Sequence, residues 1–172
     1  MEIRQGAVTH KGVPVDIGGA MLEVGEKAPE FTVLANDFSE VSPLSEYAGK
    51  ALLISVVPSL DTGTCDAATR RFNEEAADVS SDVLIITVSA DLPYAQKRWC
   101  GAAGVDRVVT LSCSKDMQFA DAYGVHYLKR RICQRAIFVI DRAGTLVYTE
   151  YVPDISQQVD FDAALSAVAN AT

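Results

Sequence analysis

Long apolar runs, histidine clusters and closely paired cysteines are all missing from this 172-residue chain. The longest apolar stretches have the length of a strand, far below the ~20 residues that a membrane helix needs. Met1-Glu2-Ile3-Arg4-Gln5 has no basic region followed by an apolar one, so no secretory signal is visible and a cytoplasmic home is expected. Only His10 and His126 accompany the four cysteines Cys65, Cys100, Cys113 and Cys133, and no Cys-x-x-Cys pair occurs. That set offers neither a zinc-ligand spacing nor a disulfide framework. A nicotinamide-binding Gly-x-Gly-x-x-Gly is also missing. Positive charge is scarce: 15 Lys and Arg against 23 Asp and Glu leave a formal charge of −8. Nucleic acid and anionic membranes require basic patches, so neither is expected as a main partner. The one basic spot, Lys129-Arg130-Arg131 with Arg135 nearby, has the composition of a solvated loop.

What is present fits a single α/β domain over residues 1–172. Gly6 to Thr9 and Val13 to Ile17 flank the turn-like His10-Lys11-Gly12, which predicts a β-hairpin within residues 1–20. Phe31 to Leu34 reads as a strand, followed by a polar loop to Gly49. Further strands are expected at 51–57, 83–88, 107–111, 136–140 and 146–152, and helices at 65–79, 93–103, 116–123 and 160–169. Ala67, Ala68, Phe72, Ala76 and Val79 are assigned to the buried face of the 65–79 helix. Strands without polar alternation belong in a sheet covered on both faces. The turn Asp141-Arg142-Ala143-Gly144 joins the last two strands as a hairpin, which makes the sheet mixed.

Cys65 stands where the 51–57 strand hands over to a helix, in its first turn. A helix N-terminus carries roughly half a positive charge and unpaired N–H groups, which favour a thiolate, the reactive form of cysteine. Pro58 stiffens the exit from the strand and has no N–H to leave unpaired. Thr62, three residues before Cys65, suits either a helix N-cap or a hydroxyl that hydrogen-bonds the sulfur. Cys113 and Cys133 read as small buried hydrophobes. Cys133 lies two residues from Arg135, a basic setting that would lower its thiol pKa and let it compete for an oxidised Cys65. His10 and His126 read as surface residues, Trp99 as packing, and Glu74-Glu75 as a solvated helix face.

Pro58-Ser59-Leu60-Asp61-Thr62-Gly63-Thr64-Cys65, then Ser89-Ala90-Asp91-Leu92-Pro93-Tyr94-Ala95-Gln96 and Arg98-Trp99-Cys100-Gly101, resembles the bacterial thiol peroxidase subfamily of the peroxiredoxins, the atypical two-cysteine type. Ala122-Tyr123-Gly124-Val125, Arg135-Ala136 and the N-terminal hairpin are similar to the same subfamily. The resemblance implies a thioredoxin-like fold, with a central mixed sheet flanked by helices and an N-terminal β-hairpin. It implies reduction of hydrogen peroxide and organic hydroperoxides through a sulfenic acid and an intrachain disulfide, with thioredoxin as reductant, no cofactor or metal, and a homodimer. By position it makes Cys65 the peroxidatic cysteine, Cys100 the resolving cysteine, Arg135 the active-site arginine, and Pro58 and Thr62 members of the peroxide site. The residues alone leave Arg130, Arg131 and Arg135 equivalent. Cys113 and Cys133 are not called for by the subfamily.

Two other functions fit a reactive cysteine on this scaffold. A redox sensor would use Cys65 oxidation to alter a partner interface, and a disulfide reductase would require the Cys-x-x-Cys that is missing. Fold alone does not separate them.

Overall fold

The computed structural model describes residues 1–76 and 78–172. Its strands are β1 (Ile3–His10), β2 (Val13–Gly18), β3 (Val33–Leu34), β4 (Glu40–Val41), β5 (Ala51–Val56), β6 (Val83–Ser89), β7 (Val109–Ser112), β8 (His126–Tyr127), β9 (Ile132–Cys133), β10 (Ala136–Ile140) and β11 (Leu146–Tyr151). Its helices are α1 (Pro43–Glu46), α2 (Gly63–Glu75), α3 (Pro93–Ala103), α4 (Gln118–Ala122) and α5 (Phe161–Asn170).

A seven-stranded sheet runs in the order β11-β10-β5-β6-β7-β3-β4. β5, β6 and β7 are parallel, whereas β10 lies antiparallel to β5 and carries β11 as a hairpin partner. The mixed sheet expected from the 141–144 turn is therefore present. Its strands are buried on both faces because period-2 alternation feeds two apolar layers. Leu52, Ile54, Val56, Phe138 and Ile140 pack into one layer with Phe31, Phe119 and Tyr123. Leu53, Val57, Ile137 and Val139 pack into the other with Phe72, Trp99, Phe161 and Val168. Cys65 belongs to this second layer, and Cys113 and Cys133 belong to the first.

The N-terminal hairpin β1–β2 does not stand alone. It extends into a four-stranded sheet, β1-β2-β8-β9, by pairing Ile17 with Tyr127. The two-residue strands β8 and β9 are too short to show a period and were not expected from the residues. The stretch expected as a polar loop after Leu34 contains β4 and α1 for the same reason. Helix α2 begins at Gly63, two residues earlier than expected, because Thr62 is its N-cap. Ala67, expected on the buried face, is exposed; the buried positions are Cys65, Ala68, Thr69 and Phe72. Helix α4 begins only at Gln118 because Met117 adopts a left-handed φ of 61°.

Candidate active site

Strand β5 delivers the chain to Val57 inside the second apolar layer, and the loop 58–62 turns it into α2. Pro58 is buried at the start of that loop. The Thr62 side chain caps α2 by accepting from the Cys65 N–H at 3.4 Å, and its hydroxyl also lies 2.7 Å from Cys65 Sγ and 3.1 Å from the Ser59 carbonyl. The cap and the contact to sulfur are thus made by one hydroxyl, so both roles open for Thr62 are realised together.

Arg135 immediately precedes β10. Alternation puts it on the same face as Ile137 and Val139, toward α2. Its side chain is 2% exposed, and Nη2 donates to Cys65 Sγ at 3.2 Å while Nε donates to the Ile155 carbonyl at 3.2 Å. Nη1 is buried and finds no hydrogen-bond partner among the described residues. No carboxylate lies within ion-pair distance of Arg135 among those residues, so the cation is held in the interior by the Cys65 sulfur and the Ile155 carbonyl, each at 3.2 Å. Buried charge without a counter-charge is costly, and the two hydrogen bonds to the Cys65 sulfur and the Ile155 carbonyl offset only part of that cost. Arg130 instead lies over the Tyr127 ring, and Arg131 donates to the Ser114 carbonyl at 2.9 Å. The structure therefore separates the three arginines that sequence left equivalent.

Cys65 itself is fully buried. A groove of about 910 Å³ lies elsewhere, between the N-terminal hairpin and residues 127–130. A reagent reaches the sulfur only when residues packed around it shift.

That loop is clamped by a residue to which sequence reasoning gave no role. The Asp91 carboxylate accepts from Ser59 Oγ at 2.7 Å, Leu60 N at 2.8 Å and Ser89 Oγ at 2.8 Å. An aspartate two residues ahead of the helix-starting Pro93 is the available signal, but it points equally to a helix entrance. Asp91→Ala is expected to cost about 1–3 kcal/mol of stability by leaving three donors unmatched. It should also speed alkylation of Cys65 by iodoacetamide at fixed pH. Unchanged alkylation would show that the clamp does not control access.

Cys100 lies in the last turn of α3, which ends at Gly104 with a left-handed φ of 67°. Its sulfur is 3.3 Å from Thr110 Oγ1, and the residue is half-buried. It shares the second layer with Cys65, but both cysteines are free and no contact joins their sulfurs among the described residues. Helices α2 and α3 are tied together beside them: Trp99 Nε1 donates to Asp66 at 3.0 Å and Arg70 donates to the Ala103 carbonyl at 2.9 Å. Trp99 thus packs as expected and also carries a hydrogen bond.

Other expectations need correction. His126 is not a surface residue; it is half-buried with Nδ1 2.7 Å from Asp121 Oδ1. His10 packs edge-on against Tyr127. Cys133 has its thiol pKa pushed up, first by the hydrogen bond with the Cys113 thiol and then by burial, not down by Arg135. It also sits on the opposite side of the sheet from Cys65, which removes it as a competing partner.

Comparison with known proteins agrees with this architecture. A profile of the Redoxin family matches residues 23–166. The chain is 49% identical over 160 residues to the thiol peroxidase of Bacillus subtilis (strain 168), covering 93% of this chain and 95% of that one. It is 50% identical over 161 residues to the thiol peroxidase of Halalkalibacterium halodurans, covering 94% and 96%. Among solved structures, a peroxiredoxin-like protein from Aquifex aeolicus superposes with a TM-score of 0.88 at 33% identity, covering 98% and 99% of the two chains. A thiol peroxidase from Chromobacterium violaceum gives a TM-score of 0.82 at 20% identity over 95% of each chain, a likeness of fold.

Proposed function

The chain belongs to the Redoxin family and is a thiol-dependent peroxidase, and we propose that Cys65 is its peroxidatic nucleophile, Cys100 its resolving cysteine and thioredoxin its reductant. The observation that supports the first assignment is the cluster in which Arg135 Nη2 and Thr62 Oγ1 both meet the Cys65 sulfur. The Cys65 thiolate attacks one oxygen of a hydroperoxide, the O–O bond breaks, and the leaving oxygen departs with the electron pair. Arg135 Nη1, the donor without a partner among the described residues, would stabilise that developing charge. Thr62 positions the sulfur, and Pro58 shapes the loop that closes over it. Cys65 is then a sulfenic acid and the peroxide has become an alcohol or water. The Cys100 thiol attacks the sulfenic sulfur, water leaves, and a Cys65–Cys100 disulfide remains for a thioredoxin-type dithiol to reduce. Sulfur carries both electrons, so the cycle calls on no bound cofactor or metal. The chain works as one domain over residues 1–172, as a cytoplasmic homodimer.

The disulfide requires movement, because a bridge tolerates a Cα separation of no more than ~7 Å. The last turn of α3 is where the chain can yield, since Gly101 and Gly104 flank Cys100 and the helix already ends there. Hydrogen exchange is expected to show lost protection in residues 97–104 and 58–66 on oxidation, including the contacts from Asp66 to Trp99 and from Arg70 to Ala103. Equal protection in both redox states would rule out this route.

Consumption of hydrogen peroxide coupled to thioredoxin, thioredoxin reductase and NADPH tests the function as a whole. Sustained turnover is expected. A single oxidation per chain without cycling would indicate a redox sensor instead.

A further inference from the structure

We propose that Cys113 and Cys133 form a second oxidisable dithiol, closed to a disulfide by hydroperoxide that reaches Cys113 through a small pocket beside Lys115. The two sulfurs are 3.6 Å apart, in direct contact, although one follows a strand of the central sheet and the other lies in the small sheet. Cys113 follows β7 and is anchored by its N–H to the Ser89 carbonyl at 2.9 Å. Cys133 lies in β9, opposite His126. The Arg131 bond to the Ser114 carbonyl holds the two segments together just outside the pair. A disulfide needs an S–S separation of about 2.05 Å, so the sulfurs have roughly 1.5 Å to close between them.

Access is unequal. Cys113 lines a pocket of about 130 Å³ together with Thr32, Val33, Glu40, Ser112 and Lys115. Cys133 is fully buried behind it. Cys113 is 2% exposed and borders the pocket, so it is the member of the pair that an oxidant would meet first, with Cys133 to resolve it. Lys115 is paired with Glu40 at the surface of this pocket. The pair lies on the opposite face of the central sheet from Cys65, so its oxidation does not pass through the active-site disulfide.

The steps balance. Cys113 gives up its thiol proton and attacks a peroxide oxygen. The O–O bond breaks, an alcohol or water takes the proton, and Cys113 becomes a sulfenic acid. The Cys133 sulfur attacks the Cys113 sulfur, the S–O bond breaks, and the hydroxyl leaves as water with the Cys133 proton. Two sulfurs lose two electrons to one peroxide. The thiol hydrogen bond and burial that push the Cys133 pKa up keep Cys133 itself from acting as a standing nucleophile. It reacts when peroxide outlasts reduction at Cys65, and the product staples the small sheet to the central one.

The test uses a Cys65→Ser/Cys100→Ser double variant, so that its outcome is independent of the roles assigned to those cysteines. After excess hydrogen peroxide, both remaining thiols are expected to vanish together and to return with dithiothreitol. Trypsin releases Cys113 in peptide 108–115 and Cys133 in peptide 132–135, and a non-reducing digest should show the two cross-linked. The same cross-link is expected in the unaltered protein under excess peroxide, which keeps the test valid if the double variant folds poorly. The thermal midpoint should rise by about 6–10 °C on oxidation, as for a loop of this length, and this rise should vanish when Cys113→Ala is added. Two thiols that stay alkylatable, or one thiol lost alone with oxygen added, would overturn the proposal.

Discussion

Cys65→Ser is expected to remove peroxide turnover, with a loss of roughly 10⁴-fold or more, the scale on which loss of a covalent nucleophile acts. A serine hydroxyl fills nearly the same space but stays protonated at neutral pH and attacks a peroxide oxygen poorly. Nothing else in the second apolar layer replaces it: Cys100 points to Thr110, and Cys113 and Cys133 are across the sheet. Cys100→Ser should behave differently. It should allow one oxidation per chain, detected as a sulfenic acid by dimedone trapping, but no thioredoxin-linked cycling. The contrast between the two serine variants separates nucleophile from resolver. Residual cycling in Cys65→Ser, or full cycling in Cys100→Ser, would dismantle the respective assignment.

Where the chain carries a long apolar period, its structure was legible. Strands β5, β6 and β10 fall on the runs that announced them, because every residue of β5 and β10 is buried between two layers. Cys65 was legible because a strand, a Pro-containing loop and a helix start leave few places for the thiol to go. Arg135 was harder. Three arginines in six residues carry no pattern of their own; the family resemblance pointed to Arg135, and the register of β10, with Ile137 and Val139 on the α2 side, turns that residue inward. Asp91 was hidden because its partners Ser59 and Leu60 are some thirty residues away. The Cys113–Cys133 contact was hidden more deeply. It depends on β9, a two-residue strand whose position is set by pairing with β8 and by nothing in its own composition.

Arg135→Met should lower the second-order rate of Cys65 oxidation by hydrogen peroxide by about 10²–10³-fold, the cost of losing a preorganised donor to developing charge. Arg135→Lys should fall between, since an ammonium supplies charge but cannot direct one nitrogen at the sulfur while a second serves the peroxide. Stopped-flow mixing of reduced protein with peroxide reads this step apart from recycling. Stability provides the internal control. Arg135 is buried with no carboxylate beside it and with Nη1 unpartnered among the described residues, so its interior charge is a burden that methionine of similar length relieves. The loss of the Nη2 and Nε bonds works in the opposite direction. The expected balance is a thermal midpoint equal to the parent's or higher, alongside the large loss of rate. That combination, a large loss of rate with no loss of stability, would assign the buried cation to the chemistry proposed at Cys65. If Arg135→Met instead reacted with peroxide as fast as the parent, the guanidinium would have to be reassigned to a structural task, and the pairing of charge with sulfur would lose its functional meaning.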